Sequence, residues 1–384
     1  MSPTAAYDLA PLAAILAVGA ALALAPLAWV WTREHHPTSE SRLRALTWAT
    51  LFLTFDLVLF GAFTRLTDSG LGCPDWPGCY AKASPLGAAA HIDAAQLALP
   101  TGPVTHSKAW IEMAHRYLAT AVGALVTLLA ALNWIGARRG HAAAAPRWAA
   151  LTLLWVCLQG AFGAWTVTMK LYPAIVTLHL LGGIGLLVLL AVQTQIAEPK
   201  ALALPRPLVR AVWLVALLAV AQIALGGWVS TNYAVLACRD FPTCQGLWWP
   251  PMDFAQGFRL RRELGQGADG AYLPFAALTA IHLAHRIGAA ILLAAFALLA
   301  WRLARSTSAE PRRWGWVLVG IGLWQLATGV GNVVLGWPLA AAVGHTGGAA
   351  ALALALALLL ARARVARRSA PAPRRVAVSA KAAS

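Results

Sequence analysis

The chain has 384 residues, 60% of them hydrophobic and only 11% charged, where an ordinary globular chain carries about 25% charged residues. That balance excludes a soluble domain, which could not cover its surface, and apolar runs of about 20 residues identify an all-α, polytopic integral membrane protein. The formal net charge of +16 does not indicate nucleic acid as a partner, because the Arg residues fall in short connections and in the tail, not on one basic face.

The first apolar segment, 10–31, follows MSPTAAYDLA, which has no basic residue. A secretory signal opens on positive charge, so this segment reads as a retained transmembrane helix. Eight more segments follow at 43–64, 109–135, 147–168, 173–196, 208–229, 275–302, 314–334 and 338–361. The connection after the first helix carries Arg33, Arg42 and Arg44. Later alternate connections carry Arg138, Arg139 and Arg147, then Lys200, Arg206 and Arg210, then Arg302, Arg305, Arg312 and Arg313. The tail adds Arg362, Arg364, Arg367, Arg368, Arg374, Arg375 and Lys381. With nine helices all of these share one side, the cytoplasm, and the N-terminus and the long loops 65–108 and 230–274 lie outside. Arg259, Arg261 and Arg262 sit in the second long loop, where charge reports topology poorly.

Much of the chain is written twice. GAFTRLTDSGLGCPDWPGC at 61–79 matches GGWVSTNYAVLACRDFPTC at 226–244. Gln159 matches Gln325, HLLGG at 179–183 matches HTGGA at 345–349, AHR at 114–116 matches AHR at 284–286, and Pro173 matches Pro338. The anchors keep their order, so the segments expected are 1–42 (extra N-terminal helix and inner connection), 43–200 and 201–361 (one four-helix bundle each), and 362–384 (a disordered basic tail). An even number of helices per repeat makes the repeats parallel, with an axis along the membrane normal rather than the inverted kind. Facing helices of such bundles are where cofactors are held.

Of the ten His residues, His35, His36, His91, His106 and His141 lie in connections and read as solvated. His115, His179, His282, His285 and His345 lie in helices, where an ionisable residue is costly and points to function. His115 and His179 in one half, and His285 and His345 in the other, start from the outer side and reach one depth, roughly 10 Å at about 1.5 Å per residue. Two imidazoles facing each other across a bundle suit axial ligation of haem iron, whereas zinc or copper would need further ligands. Gly182, Gly183, Gly347 and Gly348 beside them would admit a flat macrocycle.

The halves differ where IEMAHR becomes IHLAHR: Glu112 shares a helical face with His115, and His282 takes its place in the second half. Glu112 reads either as a proton-handling carboxylate or as an interfacial glutamate. Arg65, Arg116 and Arg286 read either as partners of haem propionates or as residues that snorkel or pair within the protein. Cys73 and Cys79 share one outer loop and Cys238 and Cys244 the other, and outside the cytoplasm such pairs usually form disulfides. Each bridge could staple a lid over a haem or pass reducing equivalents; zinc fits the spacing less well. Cys157, in mid-helix, reads as a small core residue. Asp56 has no explanation in the sequence.

Together TRLTDSGLGCPDWPGC, EMAHR, TLHLLGG, CRDFPTC, HLAHR and GHTGGA resemble the haem A synthase family over about 43–361. The resemblance implies eight core helices in two pseudo-symmetric bundles in a bacterial inner membrane, with the helix at 10–31 as an addition. It implies oxidation of the C8 methyl of haem O to the formyl of haem A, with His115 and His179 on the substrate haem and His285 and His345 on haem b. It gives Glu112 a catalytic role and pairs Cys73 with Cys79 and Cys238 with Cys244. It implies a haem O synthase as supplier, cytochrome oxidase assembly as destination, an electron partner the sequence does not name, membrane lipid around the chain, and room for a homo-oligomer. A dihaem electron carrier and a haem carrier or assembly chaperone are the competing readings.

Overall fold

A computed structural model describes residues 9–32, 38–267 and 270–369. Arg33, His35, His36, Arg374, Arg375 and Lys381 lie outside the described residues. Within them the protein is helical: α1 Ala10–Thr32, α2 Ser39–Leu66, α3 Ala89–Ala98, α4 His106–Arg138, α5 Pro146–Thr168, α6 Pro173–Ala197, α7 Arg206–Thr231, α8 Phe254–Gly257, α9 Phe275–Ala304, α10 Ala309–Val334 and α11 Leu339–Ser369. Among the described residues nine helices are long and apolar enough to cross a membrane, as the hydropathy pattern predicts. Local chemistry sets their ends. Thr38 and Ser41 close a reciprocal capping box at the start of α2, Thr105 caps α4, and proline occupies the first turn of α5, α6 and α7.

One expectation changes. Segment 362–369, expected to be disordered, continues α11; the Ala- and Arg-rich composition that suggested disorder is equally good helix former once a long helix propagates into it. The first long loop carries the short helix α3.

α2, α4, α5 and α6 pack around one centre, and α7, α9, α10 and α11 around a second. The two bundles meet through α6 against α11, with α6 also on α7 and α11 also on α2, so the contacts are reciprocal between the halves. α1 stands outside this symmetry and packs on α4, with Gly19 against Thr120, where a Cβ would not fit. Lipid gives apolar faces no reason to hide, so close backbone approach holds such bundles together. Accordingly Phe52, Leu154, Leu217 and Leu323 are each more than half exposed at the outer surface of the bundles.

Apolar clusters fill the half of each bundle away from the cysteine loops: Leu46, Leu125, Leu187 and Leu190 in the first, and Val212, Leu299, Leu318 and Leu356 in the second. The half of each bundle next to those loops is left for a cavity. Arg262, in the second long loop, is buried, bonded to Asn232 and set over the Trp228 ring at 5.7 Å.

Candidate functional site

One cavity of about 970 Å³ takes wall residues from both halves, including His115, His179, His285, His345, Glu112 and His282. Its size suits a large ligand. α1 contributes Leu12, Ile15 and Leu16 to its wall, so the added helix is part of the site. The sequence brings the two histidine pairs together as expected: His115 and His179 lie within electrostatic reach of each other, and so do His285 and His345.

Each imidazole faces a glycine. A Cβ at Gly61 would stand 3.0 Å from His115 Nε2, one at Gly163 3.5 Å from His179 Cε1, one at Gly226 3.1 Å from His285 Cε1, and one at Gly329 3.2 Å from His345 Cε1. These are not the glycines singled out in the sequence. Gly182 meets the Gln159 side chain, Gly347 meets Leu59 and Gly348 meets Gln325, while Gly183 lines the cavity. The reason is helical geometry: Gly182, Gly183 and Gly348 lie three or four positions beyond His179 or His345, one turn further along the same face, and Gly347 lies two beyond, so each meets a side chain of a neighbouring helix. A glycine across the bundle faces the ring instead. The doubled phrases contain Gly61 and Gly226, but nothing in them says that these glycines face a ring.

Glu112 is 4% exposed and makes two strong acceptor contacts. Its Oε2 accepts the Cys73 N–H at 2.7 Å, and its Oε1 accepts from Arg116 at 2.6 Å. Arg116 also donates to the carbonyls of Asp75 (3.0 Å), Pro77 (3.1 Å) and Gly78. One carboxylate and one guanidinium thus clamp the first cysteine loop onto α4. The second half repeats the clamp without the carboxylate: Arg286 donates to Thr243 O at 2.7 Å and Cys238 O at 3.1 Å. There His282 turns its Nδ1 to Ala234 O at 3.0 Å.

The cysteines form the disulfides Cys73–Cys79 and Cys238–Cys244, with Cα atoms 4.8 and 4.7 Å apart. Within each loop an aspartate collects backbone N–H groups: Asp75 from Tyr80 and Ala81, and Asp240 from Gln245 and Gly246. The Thr243 hydroxyl and these N–H groups hold the Asp240 carboxyl down to about 2. The aromatics of the two loops, Trp76 and Phe241, reach the cavity wall, so each loop covers part of its mouth.

Arg65, Arg116 and Arg286 all make pairings within the protein. Arg65 crosses between halves, donating to Ser230 O at 2.6 Å and Tyr233 Oη at 3.0 Å, with its guanidinium 4.3 Å over the Tyr233 ring. Cys157 is not in the core; it is exposed on α5 and touches the cavity. A lipid-facing position satisfies a small apolar thiol as well as a core does. Asp56 is exposed on α2. His106 is not simply solvated: it pairs with Asp93 at 2.6 Å. His91 stacks on Tyr80.

Gln222 and Thr328 escaped the reading of the sequence. Both are polar residues on membrane helices, and both turn toward histidines: Gln222 Nε2 lies 2.9 Å from His285 Nδ1, and Thr328 Oγ1 lies 2.9 Å from His345 Nδ1.

Fold and site together define a membrane protein of two four-helix bundles whose shared cavity holds two imidazole pairs, one with a carboxylate beside it. Residues 44–358 match the COX15-CtaA family, described as cytochrome oxidase assembly protein. A protein of Shewanella oneidensis named "Heme A synthase" is 39% identical over 80% of this chain and 93% of its own length. Proteins of the same name from Halalkalibacterium halodurans and Mesorhizobium japonicum are each 28% identical, over 75% and 82% of this chain and 86% and 88% of their own lengths. The chain belongs to the COX15-CtaA family.

Proposed function

We infer that this chain is a haem A synthase, an oxidoreductase that converts the C8 methyl of haem O to the formyl group of haem A. The observation that carries this reading is the asymmetry of the cavity: two imidazole pairs, each ring faced by a glycine, and a buried carboxylate beside only one of them. Two protein ligands per site suit an iron already held by a macrocycle. The glycines leave the space over each ring open, and the buried, unpartnered Nδ1 of His179 shows an imidazole not committed to a protein partner. An equivalent pair of haems, as in a simple electron carrier, gives no reason for Glu112 to become His282.

In this reading His115 and His179 hold the substrate haem, and His285 and His345 hold haem b. Haem b, when bound, supplies one-electron redox chemistry. Taking the methyl to a formyl group with an oxygen from water (R–CH3 + H2O → R–CHO + 4 H+ + 4 e–) sends the electrons to an electron acceptor and releases the protons into an apolar cavity, where a proton acceptor with a way out is needed. Glu112 is that group: its carboxylate lines the cavity and is bonded to the Cys73 N–H and Arg116 at the outer loop. Arg116 orients the carboxylate, and the loop with Trp76 excludes water. Arg286, which lines the cavity and whose buried Nε has no partner among the described residues, has a donor to spare for a propionate.

The arginine distribution supports a multi-pass protein of the bacterial inner membrane with its N-terminus and cysteine loops outside and its C-terminus in the cytoplasm. A haem O synthase would supply the substrate, cytochrome oxidase assembly would take the product, and an electron partner completes the reaction. A homo-oligomer is compatible with the exposed apolar faces.

Extraction of the pigments from the purified protein tests the reading. Haem B together with haem O or haem A is expected. Glu112→Gln is expected to keep bound haem and to form no haem A; undiminished haem A removes the catalytic role of Glu112.

A further inference from the structure

The two histidine pairs differ in what stands behind them. In the C-terminal half each ring has a polar side-chain partner. Thr328 Oγ1 donates its one proton to Trp324 O at 2.7 Å, so toward His345 Nδ1 at 2.9 Å it can only accept. That places the proton on Nδ1 and leaves the lone pair of Nε2 free for iron. Gln222 grips His285 differently: its Nε2 donates to the His285 backbone O at 3.0 Å and lies 2.9 Å from Nδ1. The donation to the backbone O fixes which end of the amide faces the ring, so Gln222 sets the orientation of that ring.

The N-terminal half lacks both devices. Leu57 stands 165 residues before Gln222, in register with the glycine pair Gly61 and Gly226. Phe162 stands 166 residues before Thr328, in register with Gly163 and Gly329. His115 lies against the Phe60 ring, 6.4 Å between centroids. His179 Nδ1 is buried with no partner among the described residues. The halves share Gln159 and Gln325, the disulfides and the arginine clamps, and around the histidine pairs they differ at Glu112 and His282 and in these two ring partners.

We propose that Gln222 and Thr328 are positioning residues that make His285 and His345 a permanent haem site, and that Leu57 and Phe162 leave His115 and His179 as a site from which haem can leave. This rests on the functional reading above. A fixed tautomer and ring orientation strengthen a histidine ligand, and loss of such a partner costs about 10–100-fold in metal affinity. A substrate site needs the opposite, since its product must depart.

The test uses full-length protein purified with its haem. Thr328→Val removes the hydroxyl at nearly constant shape, Thr328→Ser restores it, and Gln222→Leu installs what the N-terminal half already holds at that position. Haem b loss to an excess of apomyoglobin, the midpoint potential and the low-spin haem signal are measured for each. Haem b loss at least tenfold faster is expected in Thr328→Val and Gln222→Leu, with recovery in Thr328→Ser; Thr328→Val should also raise the midpoint potential, because a less basic ligand favours the ferric state less. Native loss rates in both variants, with a native potential in Thr328→Val, would overturn the proposal. If one of them does not accumulate, the other decides alone. A native protein that binds no haem would overturn the functional reading itself, and this is seen before any variant is made.

Discussion

Glu112 and Arg116 are best understood as one unit with two attachments. The guanidinium meets the carboxylate at 2.6 Å and also three loop carbonyls, while the carboxylate takes the Cys73 N–H. Removing one partner of a buried ion pair typically costs about 3–5 kcal/mol, because the other charge is stranded. In Arg116→Leu that cost falls on the loop as well as on Glu112, so the first loop is expected to lift. Alkylation after mild reduction should then label Cys73 and Cys79 faster than in the native protein while Cys238 and Cys244 keep their native rate. Asp240 allows a separate test at the second loop. Its carboxyl is held down to about 2 by the Thr243 hydroxyl and the Gly246 and Gln245 N–H groups. A depressed carboxylate stabilises its loop fully above the ordinary Asp value near about 3.9 and loses that contribution as pH falls through the folded value. Hydrogen exchange of the Gln245 and Gly246 amides, corrected for intrinsic rate, should therefore keep its protection down to about pH 4 and lose it near about pH 2. Asp240→Asn should show weak protection across the whole range.

At the scale of helices, the site depends on glycines that face rings across a bundle. Gly226 leaves its Cβ position 3.1 Å from His285 Cε1, a distance at which the imidazole must shift by a few tenths of an ångström. Gly226→Ala is expected to fold, because alanine favours a helix over glycine by about 1 kcal/mol, yet to bind less haem b, read as the ratio of haem to protein. Gly320, whose Cβ position is open, is the control: Gly320→Ala should leave that ratio unchanged. The helices themselves were legible in the sequence because lipid enforces long apolar spans and the doubled phrases set the register. The ring-facing glycines were not, because their role depends on which helix lies opposite. Nor were Gln222 and Thr328, since one polar side chain on an apolar helix does not say where it points until its neighbours are known.

At the scale of the whole molecule, the duplication creates a seam that neither half has alone. Arg65 ends α2, and Ser230 and Tyr233 hold the equivalent stretch at the end of α7. In register, Arg65 corresponds to Ser230 and Asp68 to Tyr233. Arg65 donates to Ser230 O at 2.6 Å and to Tyr233 Oη at 3.0 Å, and Tyr233 in turn donates to Asp68 at 2.6 Å. Two copies of the same element, no longer identical, therefore tie the bundles together at the outer mouth of the shared cavity. This too lay beyond the sequence, where Arg65 could be placed only at a helix end. The bonds differ in weight. The Arg65–Asp68 pair is more than half exposed on its acid side and contributes little. The Tyr233 hydroxyl bridges both charges, and a bond of that kind contributes about 0.5–1.5 kcal/mol. Tyr233→Phe should lower stability by an amount of that order and leave both haem spectra native, because the ring stays under the guanidinium. Arg65→Ala removes the bonds to Ser230 O and Tyr233 Oη, leaving the Tyr233–Asp68 bond, and opens the wall common to both pockets. It is expected to perturb the haem signals of both halves together, whereas a role confined to one pocket would disturb only the signal of the N-terminal pair.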